Sequence, residues 1–128
     1  MTRRTPRFGP AFAVRATFGL EVNLNLDSLR GPSRFLVVPG RERIFLDAMG
    51  EIADATSLAL VLADRGLQLT LEARPAARIF YYPIETPLRT WRGYASAFQG
   101  TCVLLTWKLE LWGQEKQTFG VRLKADRT

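Results

Sequence analysis

Apolar and polar residues alternate most cleanly near the start of the chain. Phe12, Val14, Ala16, Phe18, Leu20, Val22, Leu24 and Leu26 are apolar, and Ala13, Arg15, Thr17, Gly19, Glu21, Asn23 and Asn25 lie between them. A period of two is the mark of a strand with one buried face. Extended over this run, the strand would reach roughly 50 Å, longer than most. Gly19 is therefore the expected bend or bulge, the alternative being a strand that projects beyond the body. Asp27-Ser28-Leu29-Arg30-Gly31-Pro32-Ser33 reads as a loop. Arg34 to Val38 forms a short strand, Pro39-Gly40-Arg41-Glu42 a turn, and Arg43 to Leu46 the returning partner of a hairpin.

Residues 47 to 66 carry two patterns at once. As a helix, Ile52, Ala55, Ala59 and Leu62 share a face and Gly66 caps the C-terminus, with Leu67 folded back on Leu62. As strands, Ser57 to Ala63 pairs with Leu67 to Ala73 through Asp64-Arg65-Gly66. Short apolar runs do not separate the two, and the hairpin is slightly favoured. Leu67 to Glu72 alternates cleanly and is a strand in either case. Ile79 to Ile84 is rich in aromatic and β-branched residues, and Pro83 marks it as an edge or an end. Glu85-Thr86-Pro87-Leu88 reads as a loop. Val103, Leu105, Trp107, Leu109 and Leu111 alternate with polar or outward positions, Gly113-Gln114-Glu115-Lys116 turns the chain, and Phe119, Val121 and Leu123 alternate again. These last two runs predict a C-terminal antiparallel hairpin. The whole is mainly β: an antiparallel sandwich or barrel, with one helix around residues 50–65 as the open alternative.

Composition narrows the function. A length of 128 residues suits a basic arm over residues 1–11 and a single β domain over 12–128. No run of 18 apolar residues is present and no apolar stretch with a cleavage site follows the basic start, so neither a membrane span nor a secretion signal is expected. A cytoplasmic location is the expectation from that reading. The chain has no histidine, which removes Ser-His-Asp and Cys-His catalysis and histidine metal sites. Cys102 is the only cysteine and sits in an apolar run, as a buried inert thiol would. A carboxylate cluster of Asp47, Glu51 and Asp54 would form only on the helical reading and matches no metal-loop spacing, so no metal, cofactor or enzymatic activity is expected.

The net charge is +6, and half of it lies on Arg3, Arg4 and Arg7. Basic arms of this kind contact acidic surfaces, nucleic acid or neighbouring subunits. Arg92-Gly93-Tyr94-Ala95-Ser96-Ala97-Phe98 opens like an RNA-recognition signature, then departs from it at Ser96. More broadly, Arg74, Arg78, Tyr81 and Tyr82, then Arg89, Trp91, Arg92 and Tyr94, interleave cations with aromatics, as single-strand-binding grooves do. Tyr81 and Tyr82 cannot both point inward, nor can Trp107 and Trp112, so large aromatics must face a partner or solvent.

Leu88 to Gly100, followed by the alternating run Thr101 to Trp112 and by Gly113, resembles the C-terminal hairpin of phage tail-tube and related virion proteins. The resemblance implies a self-assembling β sandwich. Two functions therefore stand open at the level of sequence. One is a structural protein, a homo-oligomer or a subunit of a larger assembly such as a virion. The other is a nucleic-acid-binding β module. The contact residues for either are Arg3, Arg4, Arg7, Arg78, Tyr81, Arg89, Trp91 and Arg92.

Overall fold

The computed structural model describes residues 13–25 and 32–128. The loop expected at residues 27–33 lies largely outside these, and the basic arm with Arg3, Arg4 and Arg7 lies wholly outside them. Among the described residues the elements are β1 (Val14–Asn25), β2 (Arg34–Val37), β3 (Ile44–Phe45), β4 (Gly50–Leu62), a 3-10 turn (Ala63–Arg65), β5 (Leu67–Thr90), β6 (Gly93–Leu111) and β7 (Gly120–Arg127). All neighbours pair antiparallel, in the order β1-β6-β5-β4-β2-β3, with β7 also on β5.

Two very long strands organise this sheet. β5 pairs with β7 over Leu67–Arg74 and with β6 over Arg78–Thr90, changing neighbours at Pro75 and Ala76. β4 follows it, with register breaks between Ile52 and Ala55 and between Ala55 and Ser57. Strands that bend through bulges can pass from one layer of a sandwich to the other. The sheet thus folds over on itself, and both lobes contribute to one core. Leu36, Leu58, Leu60 and Leu71 from one lobe meet Ile79, Val103, Leu105 and Trp107 from the other, all buried. Ile79, Val103 and Leu105 are each 0% exposed.

The helix expected as an alternative over residues 50–65 does not form. Ile52, Ala55 and Leu58 all face the core inside β4, three residues apart. Each bulge adds a residue to the period of two, and the result imitates helical spacing. The hairpin reading holds: Leu62 pairs with Leu67 across the 3-10 turn. Gly66 closes that turn at φ 59°, a left-handed conformation natural to glycine, and its N–H donates to the Ala63 carbonyl at 3.3 Å. Arg34 braces the turn from β2. It is 1% exposed, and its Nη2 donates to Asp64 Oδ2 at 2.9 Å. This bond holds the Asp64 carboxyl below its ordinary pKa. The Pro39-Gly40 turn also forms, with Arg41 N–H donating to the Val38 carbonyl at 3.1 Å, and β2 pairs with β3.

Three expectations are corrected. The C-terminal runs do not pair with each other, because β6 takes β1 as its neighbour and β7 crosses to β5. The stretch Glu85–Leu88 is strand, paired with Ala95–Phe98. Pro83 and Pro87 are accommodated there because β5 has lost β4 as a neighbour beyond Tyr81 and, among the described residues, has no other partner on that side. Gly19 is neither bend nor bulge: β1 keeps an unbroken register with β6 from Val14↔Leu111 to Asn25↔Gly100.

Candidate functional site

A cleft opens where β5 changes lobes. Beyond Thr106, β6 has no β5 residue opposite it, because Pro75 and Ala76 have turned away toward β7. Trp107 spans the gap, its indole N–H donating to the Pro75 carbonyl at 2.8 Å. The space is about 530 Å³ and is open to solvent. Its apolar lining is Trp107, Phe119, Phe80, Pro75 and Ala76. Phe119 comes from the connection between β6 and β7; its ring lies 5.1 Å from that of Trp107 and 5.7 Å from that of Phe18. Phe18 in turn stacks on Trp107 at 5.8 Å. Aromatic rings at these separations attract one another beyond their buried area, so Phe18 braces Trp107 and Phe119 where they line the cleft.

The rim is polar: Thr17, Asp54, Arg78, Thr106, Lys108 and Gln117. Asp54 sits at the β4 bulge with φ 51°. Arg78 lies 3.6 Å from Glu51, both half exposed, and the Thr106 hydroxyl donates to the Arg78 carbonyl at 2.9 Å. The rim thus offers cationic donors, hydroxyls, an amide and one carboxylate. Among the described residues no group of three or more Cys, Asp or Glu side chains is placed to hold a metal.

A second feature is the far end of the β5–β6 hairpin. It runs past the core to a two-residue turn, Trp91-Arg92, with Arg89 opposite Tyr94. Trp91 is 87% and Tyr94 80% exposed. The Arg92 guanidinium lies 4.4 Å from the Trp91 ring centroid and covers one of its faces. The Thr90 hydroxyl accepts from the Arg92 N–H at 3.3 Å and donates to the Gly93 carbonyl at 3.2 Å.

The residues expected to act together are therefore divided. Arg89, Trp91 and Arg92 gather at the hairpin tip. Arg78 belongs to the cleft, eleven strand positions away, or roughly 35 Å at strand rise. Tyr81 is withdrawn: it faces the core at 9% exposure, so close under Gly50 that a Cβ there would lie 2.9 Å from its ring. Tyr82 takes the opposite face from Tyr81 and is half-buried, and Trp112 is exposed while Trp107 is buried, so one member of each pair leaves the core as expected. The Cys102 thiol at the Tyr82 hydroxyl, with burial, pushes that phenol up to about 12. Burial pushes the thiol up as well, which fits an inert cysteine. Sequence reasoning missed Phe80, Lys108, Gln117 and Phe119 as neighbours. Phe119 and Gln117 follow a connection with no periodicity, and the one available signal was Pro75, which interrupts an otherwise regular run.

The family model described as alpha-amylase/4-alpha-glucanotransferase, C-terminal, matches residues 10–121. The chain belongs to that family. No curated protein and no solved structure matches it significantly. Membership in the amylase/glucanotransferase C-terminal family overturns the likeness to phage tail-tube proteins, and with it the reading as a virion structural protein and the nucleic-acid one. The tail-tube likeness rested on pattern in the last third of the chain, where the expected hairpin is absent. The RNA-signature stretch is the start of β6, with Tyr94 at the tip and Phe98 in the core. The amylase/glucanotransferase C-terminal family is a non-catalytic β domain of carbohydrate-active enzymes, and among the described residues the cleft brings apolar and polar groups together around a small-molecule-sized space.

Proposed function

We propose that this chain is a non-catalytic accessory domain that holds α-glucan chains in the cleft beneath the β5 corner. The observation that carries the reading is the cleft's construction: the rings of Phe80, Trp107 and Phe119 within a rim of Asp54, Arg78, Lys108 and Gln117. A sugar ring presents apolar C–H faces and a girdle of hydroxyls. It needs a flat apolar surface together with donors and acceptors at its edge. A volume of about 530 Å³ falls within the range of small-ligand sites. Glycosidic cleavage calls for two carboxylates flanking the bond, and among the described residues that line the cleft Asp54 is the one carboxylate. The role that fits is binding, with the chemistry done elsewhere.

The test is calorimetric titration with maltoheptaose, with cellohexaose as the control. Saturable heat with maltoheptaose, weakened about tenfold or more in Lys108→Ala and Gln117→Ala, is expected if two rim hydrogen bonds to the sugar are lost. Both positions are exposed, so neither substitution threatens the fold. Phe119→Ala should abolish binding, and Trp91→Ala at the hairpin tip should leave it unchanged. Absence of binding up to about 10 mM glucan, weaker than any useful affinity, would overturn the proposal.

A further inference from the structure

Exposed sheet edges invite pairing with other chains, and folded proteins guard them with short strands, prolines, bulges or charges. Three of the edges here are guarded. β3 has two residues. The free edge of β5 carries Pro83 and Pro87. β7 carries Arg122, Lys124, Asp126 and Arg127. β1 is different. It is 12 residues long, contains no proline or lysine, and shows no bulge against β6. Among the described residues β6 is its one neighbour. Val14, Phe18 and Leu20 lie exposed on one face of it, at 59%, 44% and 38%.

We propose that β1 is an interface between two copies of this chain, pairing antiparallel with β1 of the second copy about a two-fold axis at Phe18. Two-fold pairing demands that the strand be complementary to its own reverse. With the axis at Phe18, Val14 faces the partner's Val22, Ala16 the partner's Leu20 and Phe18 the partner's Phe18, all on the apolar face. On the other face Arg15 meets the partner's Glu21, twice per dimer. These are the only two charges in the strand. A shift of the axis by one residue sets Arg15 against Asn23, and a shift by half a residue puts apolar positions on opposite faces of the joint sheet. The Phe18-centred register alone satisfies both the apolar pattern and the charges. Arg15 already contacts Glu110 of its own chain at 2.9 Å, so in the pair it lies between two carboxylates. The axis passes close to Thr17, on the rim of the cleft, and sets two clefts side by side. The pairing does not depend on what the cleft binds.

The decisive measurement is sedimentation velocity across a wide range of concentration. The 14.4 kDa chain should double in mass as concentration rises. Glu21→Arg sets two like-charge pairs across the axis and should weaken the dimer at least about tenfold, and the double variant R15E/E21R should recover most of it. Phe18→Cys places two thiols opposite each other, within disulfide reach of paired strands, and should yield a covalent dimer on mild oxidation. Cys102 is 1% exposed and does not compete. A monomer at every concentration would overturn the proposal. So would a dimer indifferent to Glu21→Arg that fails to cross-link through position 18, since its interface would then lie elsewhere.

Discussion

β1 and β6 lie side by side in unbroken register and read alike in the sequence, yet they differ in burial. Leu105 is wholly buried, and Leu20, its partner across the ladder, is 38% exposed. Val103 and Leu105 are covered by the opposite lobe, through Leu36, Leu58 and Leu60; β1 runs along the margin of that cover, and only Val22 and Leu24 reach beneath it. Alternation states that a strand has two unlike faces. It does not state that another layer lies over the apolar one. What covers β6 is a lobe assembled from residues far away in sequence, and the chain's own pattern at residues 12–26 carries no trace of where that lobe stops.

The sharpest break of this comparison is truncation on each side of the ladder. Leu105→Ala leaves a cavity in a packed interior and should cost about 2–5 kcal/mol. Leu20→Ala removes a side chain already in contact with water and should cost below about 1 kcal/mol in the monomer. Urea unfolding followed by fluorescence would read both. Equal losses would mean that β1 is as well covered as β6.

A glycine pair tests the ladder itself. A Cβ at Gly100 would run into the Leu24 carbonyl, whereas one at Gly19 meets Leu104 Cδ1 at 3.5 Å, an ordinary contact. Gly100→Ala should therefore cost about 1–3 kcal/mol, as overpacking does, and should loosen the Leu24 end of β1. Gly19→Ala should be nearly neutral. Faster amide exchange at residues 22–25 in Gly100→Ala, with the rest of β6 unchanged, is the expected signature.

Much of this fold was legible because its cues are local. The strand β1, the β2–β3 hairpin, the Pro39-Gly40 turn and the Gly66 turn rest on alternation or on turn chemistry within a few residues. The failures arise where a distant partner decides. Glu85–Leu88 reads as loop because two prolines exclude a central strand, and the edge that admits them exists only because β4 has ended. β7 alternates as a hairpin partner of β6 would, but β6 was already taken by β1. For the site, residue parity required one of Tyr81 and Tyr82, and one of Trp107 and Trp112, to leave the core, without saying which; Arg89, Trp91 and Arg92 were neighbours in sequence and stay together at the hairpin tip. The cleft was not, because it is made by a strand leaving a sheet, and Phe119, Lys108 and Asp54 share no spacing that would nominate them together.

Acid should loosen the cover while sparing the ladder. Asp64 titrates below its ordinary value in the folded chain because Arg34 bonds it. Its contribution is therefore complete above the unfolded value, near pH 4, and fades as pH falls through the folded one. Asp64→Asn should flatten the acid side of the stability curve, with no change in slope near neutrality. Equal acid sensitivity in wild type and variant would assign the loss to other carboxylates.

The smallest expected effect lies on the exposed side of the ladder. Arg15 and Glu110 face each other across β1 and β6 at 2.9 Å, with side chains 78% and 47% exposed. Water screens such a pair, and holding two long side chains in one geometry costs entropy, so their coupling should be about 0.2–1 kcal/mol and should largely vanish in roughly 1 M salt. A double-mutant cycle through Arg15→Ala and Glu110→Ala at low protein concentration isolates that coupling, because both single variants suffer the same change in strand propensity as the double. A coupling well above this range, insensitive to salt, would show that the pair is shielded from water. The outer edge of β1 would then be covered even in the monomer, and its contrast with β6 would have to be redrawn.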